Sequence, residues 1–302
     1  MRLVDVTKIW DQAPHNAFTD LARWKGQWYC VFREGLQHAS PDGALRVLAS
    51  ADGKVWTSVG HMTHPAADLR DAKLTVTPDN RLMLSGAAAL HQPADARHRS
   101  LSWFSSDGRT WTEPVQIGDD NFWLWRMTWH KGVAYSMAYS TGDDRFVRLY
   151  GSKDGKSYAV IADRLQTDSF PNEASLLFQP DDTALCLLRR DADTCDALLG
   201  QSAPPYTTWT WKNLYRRVGG PHFIALPNGR IVTAARMYEG VQRTSLGWLD
   251  VEKGSLSETV MLPSRGDSSY CGLVWHEGLL WVSYYSSHEG KTSIYLAHIE
   301  ID

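Results

Sequence analysis

The sequence contains no run approaching the ~20 consecutive apolar residues that a membrane-spanning helix needs. Its opening, Met1-Arg2-Leu3-Val4-Asp5-Val6, has no apolar stretch of signal-peptide length, so the expected location is cytoplasmic, with no membrane partner. An excess of one charge is missing too: 31 Lys and Arg stand against 34 Asp and Glu, a net charge of −3. No global basic field attracts a phosphate backbone, and nucleic acid is excluded as an expected partner. Cysteine is scarce, and Cys30, Cys186, Cys195 and Cys271 form no C-x-x-C pair and have no His at metal-ligand spacing. They read as free, mostly buried thiols. His61, His64, His91 and His98 are scattered among loops, so neither a metal nor another cofactor is expected. A linker or low-complexity segment is also absent, and residues 1–302 read as a single domain.

Aromatic residues, by contrast, are plentiful. The chain has 14 Trp, 12 Tyr and 8 Phe beside 23 Gly and 13 Pro, a composition that favours strands separated by turns. Six short turns each separate two apolar, aromatic-rich runs: Trp24-Lys25-Gly26, Pro78-Asp79-Asn80, His130-Lys131-Gly132, Pro180-Asp181-Asp182, Pro227-Asn228-Gly229 and His276-Glu277-Gly278. Each predicts a hairpin. Their centres are spaced by 54, 52, 50, 47 and 49 residues, a period close to that of propeller blades.

A second signature follows the first three hairpins: Ser50-x-Asp52-Gly53-x-x-Trp56, Ser105-x-Asp107-Gly108-x-x-Trp111 and Ser152-x-Asp154-Gly155-x-x-Tyr158. In such a turn the carboxylate can accept backbone N–H bonds, glycine can take a positive φ, and the ring can plug the space beneath. The role expected of it is structural. Ser202-Ala203-Pro204-Pro205-Tyr206, ahead of Trp209, is a degenerate version. These turns resemble the Asp boxes of the sialidase superfamily, S-x-D-x-G-x-x-W, with the aromatic one residue early. The resemblance implies an all-β, six-bladed β-propeller of four-stranded antiparallel blades, each of about 50 residues. The N-terminal segment Leu3–Trp10 would join the last blade beside Thr292–Ile299 and hide a sheet edge.

In such a propeller, inner-strand starts and second-strand ends share one face, opposite the hairpins and boxes. Inner-strand starts supply Arg70, Asp71, Arg126, Glu173, His222 and Tyr270; second-strand ends supply Arg33, Arg189, Arg190, Arg236, Tyr285 and His288. Mixed charges and stacking surfaces at the mouth of a channel suit a sugar or another small polyhydroxylated anion.

Pro171-Asn172-Glu173 is similar to the sialidase segment in which a Glu opens the fourth blade, and Ser269-Tyr270-Cys271-Gly272-Leu273 to the segment that carries the family's nucleophilic tyrosine. The resemblance therefore implies Tyr270 as nucleophile and Glu173 as its base, since a phenol with a reference pKa of ~10 needs one at neutral pH. Two residues compete for the acid. Asp42 lies where the family places its Asp, within a P-D-G turn, whereas His38 lies outside any turn signal and carries an imidazole, a common proton-transfer group. One departure stands out: Asn16-Ala17-Phe18-Thr19 occupies the place of the family's R-I-P motif, whose arginine completes a three-arginine clamp. The expected activity is hydrolysis of a terminal acidic or otherwise polar sugar from a glycan or small glycoside, without a cofactor. A polysaccharide lyase or uronic-acid-directed enzyme on the same fold and a non-catalytic carbohydrate-binding propeller are the alternatives.

Overall fold

The computed structural model describes residues 1–92 and 96–301, and among these every regular element is a strand. β1 (Arg2–Trp10) precedes a meander of β2 (His15–Trp24), β3 (Gln27–Gly35), β4 (Ala44–Ser50) and β5 (Thr57–Met62). A second four-stranded sheet contains β6 (Ala67–Val76), β7 (Leu82–Leu90), β8 (His98–Ser105) and β9 (Val115–Ile117). In the third unit the inner strand is broken into β10 (Phe122–Leu124) and β11 (Thr128–His130), both paired with β12 (Val133–Ser140), which leads to β13 (Val147–Ser152) and β14 (Ala159–Gln166). Next come β15 (Pro171–Phe178), β16 (Ala184–Arg190) and β17 (Asp196–Ser202), and then the long β18 (Thr210–Ala225). The first half of β18 pairs with β17 and its second half with β19 (Ile231–Met237), which continues into β20 (Arg243–Asp250) and β21 (Ser255–Met261). The final sheet has the order β22 (Ser268–His276), β23 (Leu279–Ser286), β24 (Ser293–Glu300), β1, so the first strand of the chain pairs antiparallel with the last. Successive four-strand antiparallel meanders of this kind are what a propeller-type fold is built from.

Burial falls from the first strand of each meander outward. Runs such as His15–Trp24 and Leu82–Ala88 are covered on both faces, while β1, β5, β14 and β21 leave much of their length exposed. The core therefore lies between sheets. Val31, Val47, Leu69, Leu74 and Leu84 fill one such layer, and Val232, Leu246, Leu273, Val282 and Ile299 another. Each such side chain stabilises the fold by roughly 1.5–3 kcal/mol.

The turn signals are realised as expected. Trp24 pairs with Gln27, His130 with Val133 and His276 with Leu279, leaving two-residue loops. Both residues of each loop, Lys25-Gly26, Lys131-Gly132 and Glu277-Gly278, have positive φ, as this hairpin turn requires. In the Ser-x-Asp-Gly turns, Asp52 Oδ1 accepts the Lys54 and Val55 amides at 2.8 and 3.1 Å, and Ser50 Oγ accepts the Gly53 amide at 2.9 Å. The Asp107 and Asp154 turns repeat the pattern. The turn after β17 has neither Asp nor Gly, yet Tyr206 takes the positive φ and its carbonyl accepts Trp209 Nε1 at 2.9 Å, just as Gly53 O accepts Trp56 Nε1 at 3.0 Å. These turns also join neighbouring sheets. A Cβ on Gly53 would lie 2.3 Å from the Trp281 ring, and one on Gly108 2.2 Å from the Tyr29 hydroxyl.

Candidate active site

One irregularity recurs near the same end of the inner strands. The ladder skips between Ala17 and Asp20 in β2, Arg70 and Lys73 in β6, Pro171 and Ala174 in β15, Gly219 and His222 in β18, and Ser269 and Gly272 in β22. Each skip sets two residues against one on the second strand. In the third unit, residues 125–127 interrupt the strand at the corresponding place. Such bulges re-aim a side chain while pairing continues on either side. The first bulged residue is left-handed at Phe18 (φ 62°), Asp71 (51°), Gly220 (56°) and Tyr270 (53°). For the three that are not glycine this costs on the order of 1–2 kcal/mol each.

Phe18, Asp71, Glu173 and Tyr270, all from bulges, line one cavity of about 380 Å³. Arg189 and Arg236 reach it from the ends of β16 and β19, Arg70 from beside the second bulge, and His38 from the loop after β3. Trp123 and Tyr139, stacked at 5.9 Å, and His98 and Ala89 complete the wall.

The Tyr270 hydroxyl donates a hydrogen bond to Glu173 Oε1. Arg189 Nη1 lies 3.1 Å from that hydroxyl and 2.8 Å from Glu173 Oε2, and the Gly220 amide donates to the same Oε2 at 2.8 Å. Burial alone would raise the Glu173 carboxyl, but Arg189 and the bonds from Tyr270 and Gly220 outweigh it and hold the group below the usual carboxylate range. Burial pushes the Tyr270 phenol well above its ordinary value, and Glu173 adds to the rise. The resting pair is therefore a neutral phenol on a carboxylate. Moving the proton unassisted is uphill, and Arg189, together with the Arg236 guanidinium 5.3 Å from the ring centre, places positive charge where a phenolate would be stabilised.

Asp71 is the other perturbed acid. Burial raises its carboxyl, Lys73 and Arg70 only partly offset this, and its Oδ1 is buried without a hydrogen-bond partner. Behind it the Lys73 ammonium sits 5.0 Å from the centre of the Trp125 ring and is pulled down to about 8, chiefly by burial. Among the cations, Arg236 binds Ser268 O, Asp267 and Tyr285 through Nε and Nη2, which leaves Nη1 open. Arg70 has a single long contact to Asp68, 3.4 Å, and lies over Phe18.

Of the residues expected at the mouth, Tyr270, Glu173, His38, Arg70, Asp71, Arg189 and Arg236 come together here. The others do not line the cavity. Asp42 is a turn former whose carboxylate accepts the Leu36 amide at 3.0 Å. Arg33 is buried against Asp68 at 2.7 Å and binds Gln37 O and Ser40 O, fixing the loop that carries His38. Buried Arg126 grips both oxygens of Asp20, and His222, kept neutral by burial, bonds Cys271 O. Arg190 Nε donates to Asp196 O, Tyr285 lies beneath Arg236 and Asp267, and His288 packs on Tyr295. Sequence reasoning misses Phe18, His98 and Tyr139 as wall residues: His98, read as a loop histidine, opens β8, and Tyr139 sits at a second-strand end in the third unit and so obeys the rule that finds Arg189 and Arg236.

No family model matches the chain, and no curated protein matches it in sequence. Solved structures do. A protein of unknown function from Dyadobacter fermentans superposes with TM-score 0.88 at 20% identity, over 100% of this chain and 99% of that one. An α-L-arabinofuranosidase of Fusarium graminearum, in complex with an iminosugar inhibitor, superposes with TM-score 0.77 at 13% identity, covering 99% and 98%. The Trypanosoma rangeli sialidase in complex with the inhibitor DANA gives 0.74 at 12%, covering 99% of this chain and 58% of the sialidase. The chain shares its fold with glycosidases of the sialidase and arabinofuranosidase type.

Proposed function

We propose that residues 1–302 form one six-bladed propeller, closed by β1 in the last blade, and that it is a retaining exo-glycosidase acting on a terminal sugar with an anionic or strongly polar substituent. The observation that carries this reading is the Tyr270 hydroxyl donating to Glu173 in the wall of the cavity. A volume of about 380 Å³ suits one sugar ring rather than a threaded polymer. Tyr270 Oη attacks the anomeric carbon as its proton passes to Glu173, and the bond to the leaving oxygen breaks. Asp71, the carboxyl raised by burial, replaces His38 and Asp42 as the acid and protonates that oxygen. In the second step ionised Asp71 takes a proton from water, the hydroxide attacks the anomeric carbon, and Tyr270 leaves, recovering its proton from Glu173. Arg70 and the open Nη1 of Arg236 hold the substituent. Tyrosine in place of a carboxylate nucleophile has a precedent in the chemistry of sialidases.

The test is a panel of aryl glycosides with terminal acidic and neutral sugars. On a responsive substrate, Tyr270→Phe and Glu173→Gln each abolish turnover with thermal unfolding nearly unchanged, and a fluorinated sugar traps an adduct on the peptide containing Tyr270. Wild-type rates in both variants overturn the mechanism. Product with new ultraviolet absorbance from an unsaturated sugar points to a lyase instead.

A further inference from the structure

His15, His38 and Asp267 converge at the rim of the same cavity from three separate places: the start of β2, the loop after β3 and the segment entering β22. His15 Nε2 and His38 Nδ1 both address Asp267 Oδ2, at 2.9 and 2.6 Å, and the candidate donor atoms lie within 4.8 Å of one another. We propose that these three side chains form a binding site for one divalent transition-metal ion, with open coordination positions facing the cavity.

Two of the three groups, Asp267 and His38, are held in place by contacts behind them. Asp267 Oδ1 accepts from the Tyr285 hydroxyl at 2.8 Å and from Arg236 Nη2 at 3.2 Å, which fixes the carboxylate and turns Oδ2 toward the rings. Buried Arg33 binds the carbonyls of Gln37 and Ser40 on either side of His38. His15 is buried, and its Nδ1 has no hydrogen-bond partner, so nothing on the far side of the ring locks the tautomer that keeps a proton on Nε2. Each ring nitrogen now pointing at Asp267 must give up its hydrogen to coordinate, and His15 is free to carry its proton on Nδ1. Two imidazoles and one carboxylate match zinc, cobalt, nickel, iron or manganese, whereas magnesium and calcium prefer all-oxygen sets. The His38 side chain is half exposed and lines the cavity, so the unfilled side of the ion faces that space. An ion there would stand beside Arg236, which shares Asp267, and could ligate an oxygen of the bound sugar; this last role alone rests on the glycosidase reading.

The decisive measurement is metal stoichiometry on tag-free, chelator-treated protein, with Zn²⁺ by calorimetry and Co²⁺ by visible absorption. The expected result is one ion per chain at low-micromolar affinity or tighter, a Co²⁺ spectrum showing nitrogen coordination, and at least a tenfold loss of affinity in His38→Ala. His38 lies in a half-exposed loop, so this variant keeps the fold; His15→Gln and Asp267→Asn are compared with it at matched thermal stability. Absence of stoichiometric binding, or unchanged affinity in His38→Ala, overturns the proposal and identifies the cluster as a hydrogen-bond network. Neither readout depends on turnover, so failure here leaves the Tyr270 and Glu173 mechanism standing, and failure of that mechanism leaves the metal site.

Discussion

Asp71 and Glu173 are both buried carboxyl groups in one cavity, and their surroundings push them in opposite directions. Glu173 has a guanidinium, a phenol and an amide directed at its oxygens. Asp71 has one oxygen with no partner. In the proposed mechanism that asymmetry divides base from acid. Because the folded-state value of Asp71 is raised, its stabilising protonated form is present at low pH and is lost as pH rises through that value. Activity should follow the same limb and fall on the alkaline side. Asp71→Asn is expected to abolish that limb and to slow glycosides with poor leaving groups at least a hundredfold, with far less effect on activated aryl substrates; a pH–rate profile on both substrate types checks it. Glu173 has the opposite sign, contributing stability above the ordinary carboxylate range that is lost as pH falls through its depressed value. Tyr270, Glu173, Arg189 and Arg236 are legible in the sequence because motif and strand position agree there. Arg33, Arg126 and Arg190 are not separable from them: all are polar residues at strand ends, and only the direction of the side chain distinguishes an open arginine from one bound to Asp68, Asp20 or the Asp196 carbonyl.

At the scale of the element, the inner strand with its bulge is the unit that makes the site. Register in a strand assigns alternate residues to opposite faces, so a strict alternation read from sequence misplaces everything beyond an unseen insertion. This hides Phe18 from a sequence reading. Gly220 shows how tightly the bulges fit together: it has φ 56°, its amide serves Glu173, and a Cβ there would lie 2.7 Å from the Tyr270 ring. Gly220→Ala should therefore displace the Tyr270 ring and, under the proposed mechanism, lower kcat at least a hundredfold with a smaller change in KM, while costing about 1–3 kcal/mol of stability from the left-handed backbone and the contact. Steady-state kinetics and a denaturant titration measure both. A full loss of structure, or kinetics like the wild type, refutes the account.

Over the whole molecule, the period of about 50 residues makes the architecture readable, because each hairpin and each Ser-x-Asp-Gly turn is a local signal repeated along the chain. The pairing of β1 with β24 is also legible, since the last unit lacks a fourth strand of its own. The site is less so, because it joins residues as far apart as Glu173 and Tyr270, and no local pattern reports a contact across 97 positions. Deleting residues 1–12 should uncover the edge of β24 and produce a chain that melts earlier and self-associates, as size-exclusion chromatography with light scattering would show; a melting temperature and mass unchanged from the full chain would count against this role for β1. The recurring bulge has an evolutionary consequence as well. Since pairing resumes on both sides of it, the side chains at positions 18, 71, 173 and 270 can change without disturbing the ladders that hold the sheets, whereas position 220 must stay glycine. Selection can thus rewrite the chemistry of the cavity one socket at a time, which would let a single scaffold drift between substrates while its sequence diverges beyond recognition.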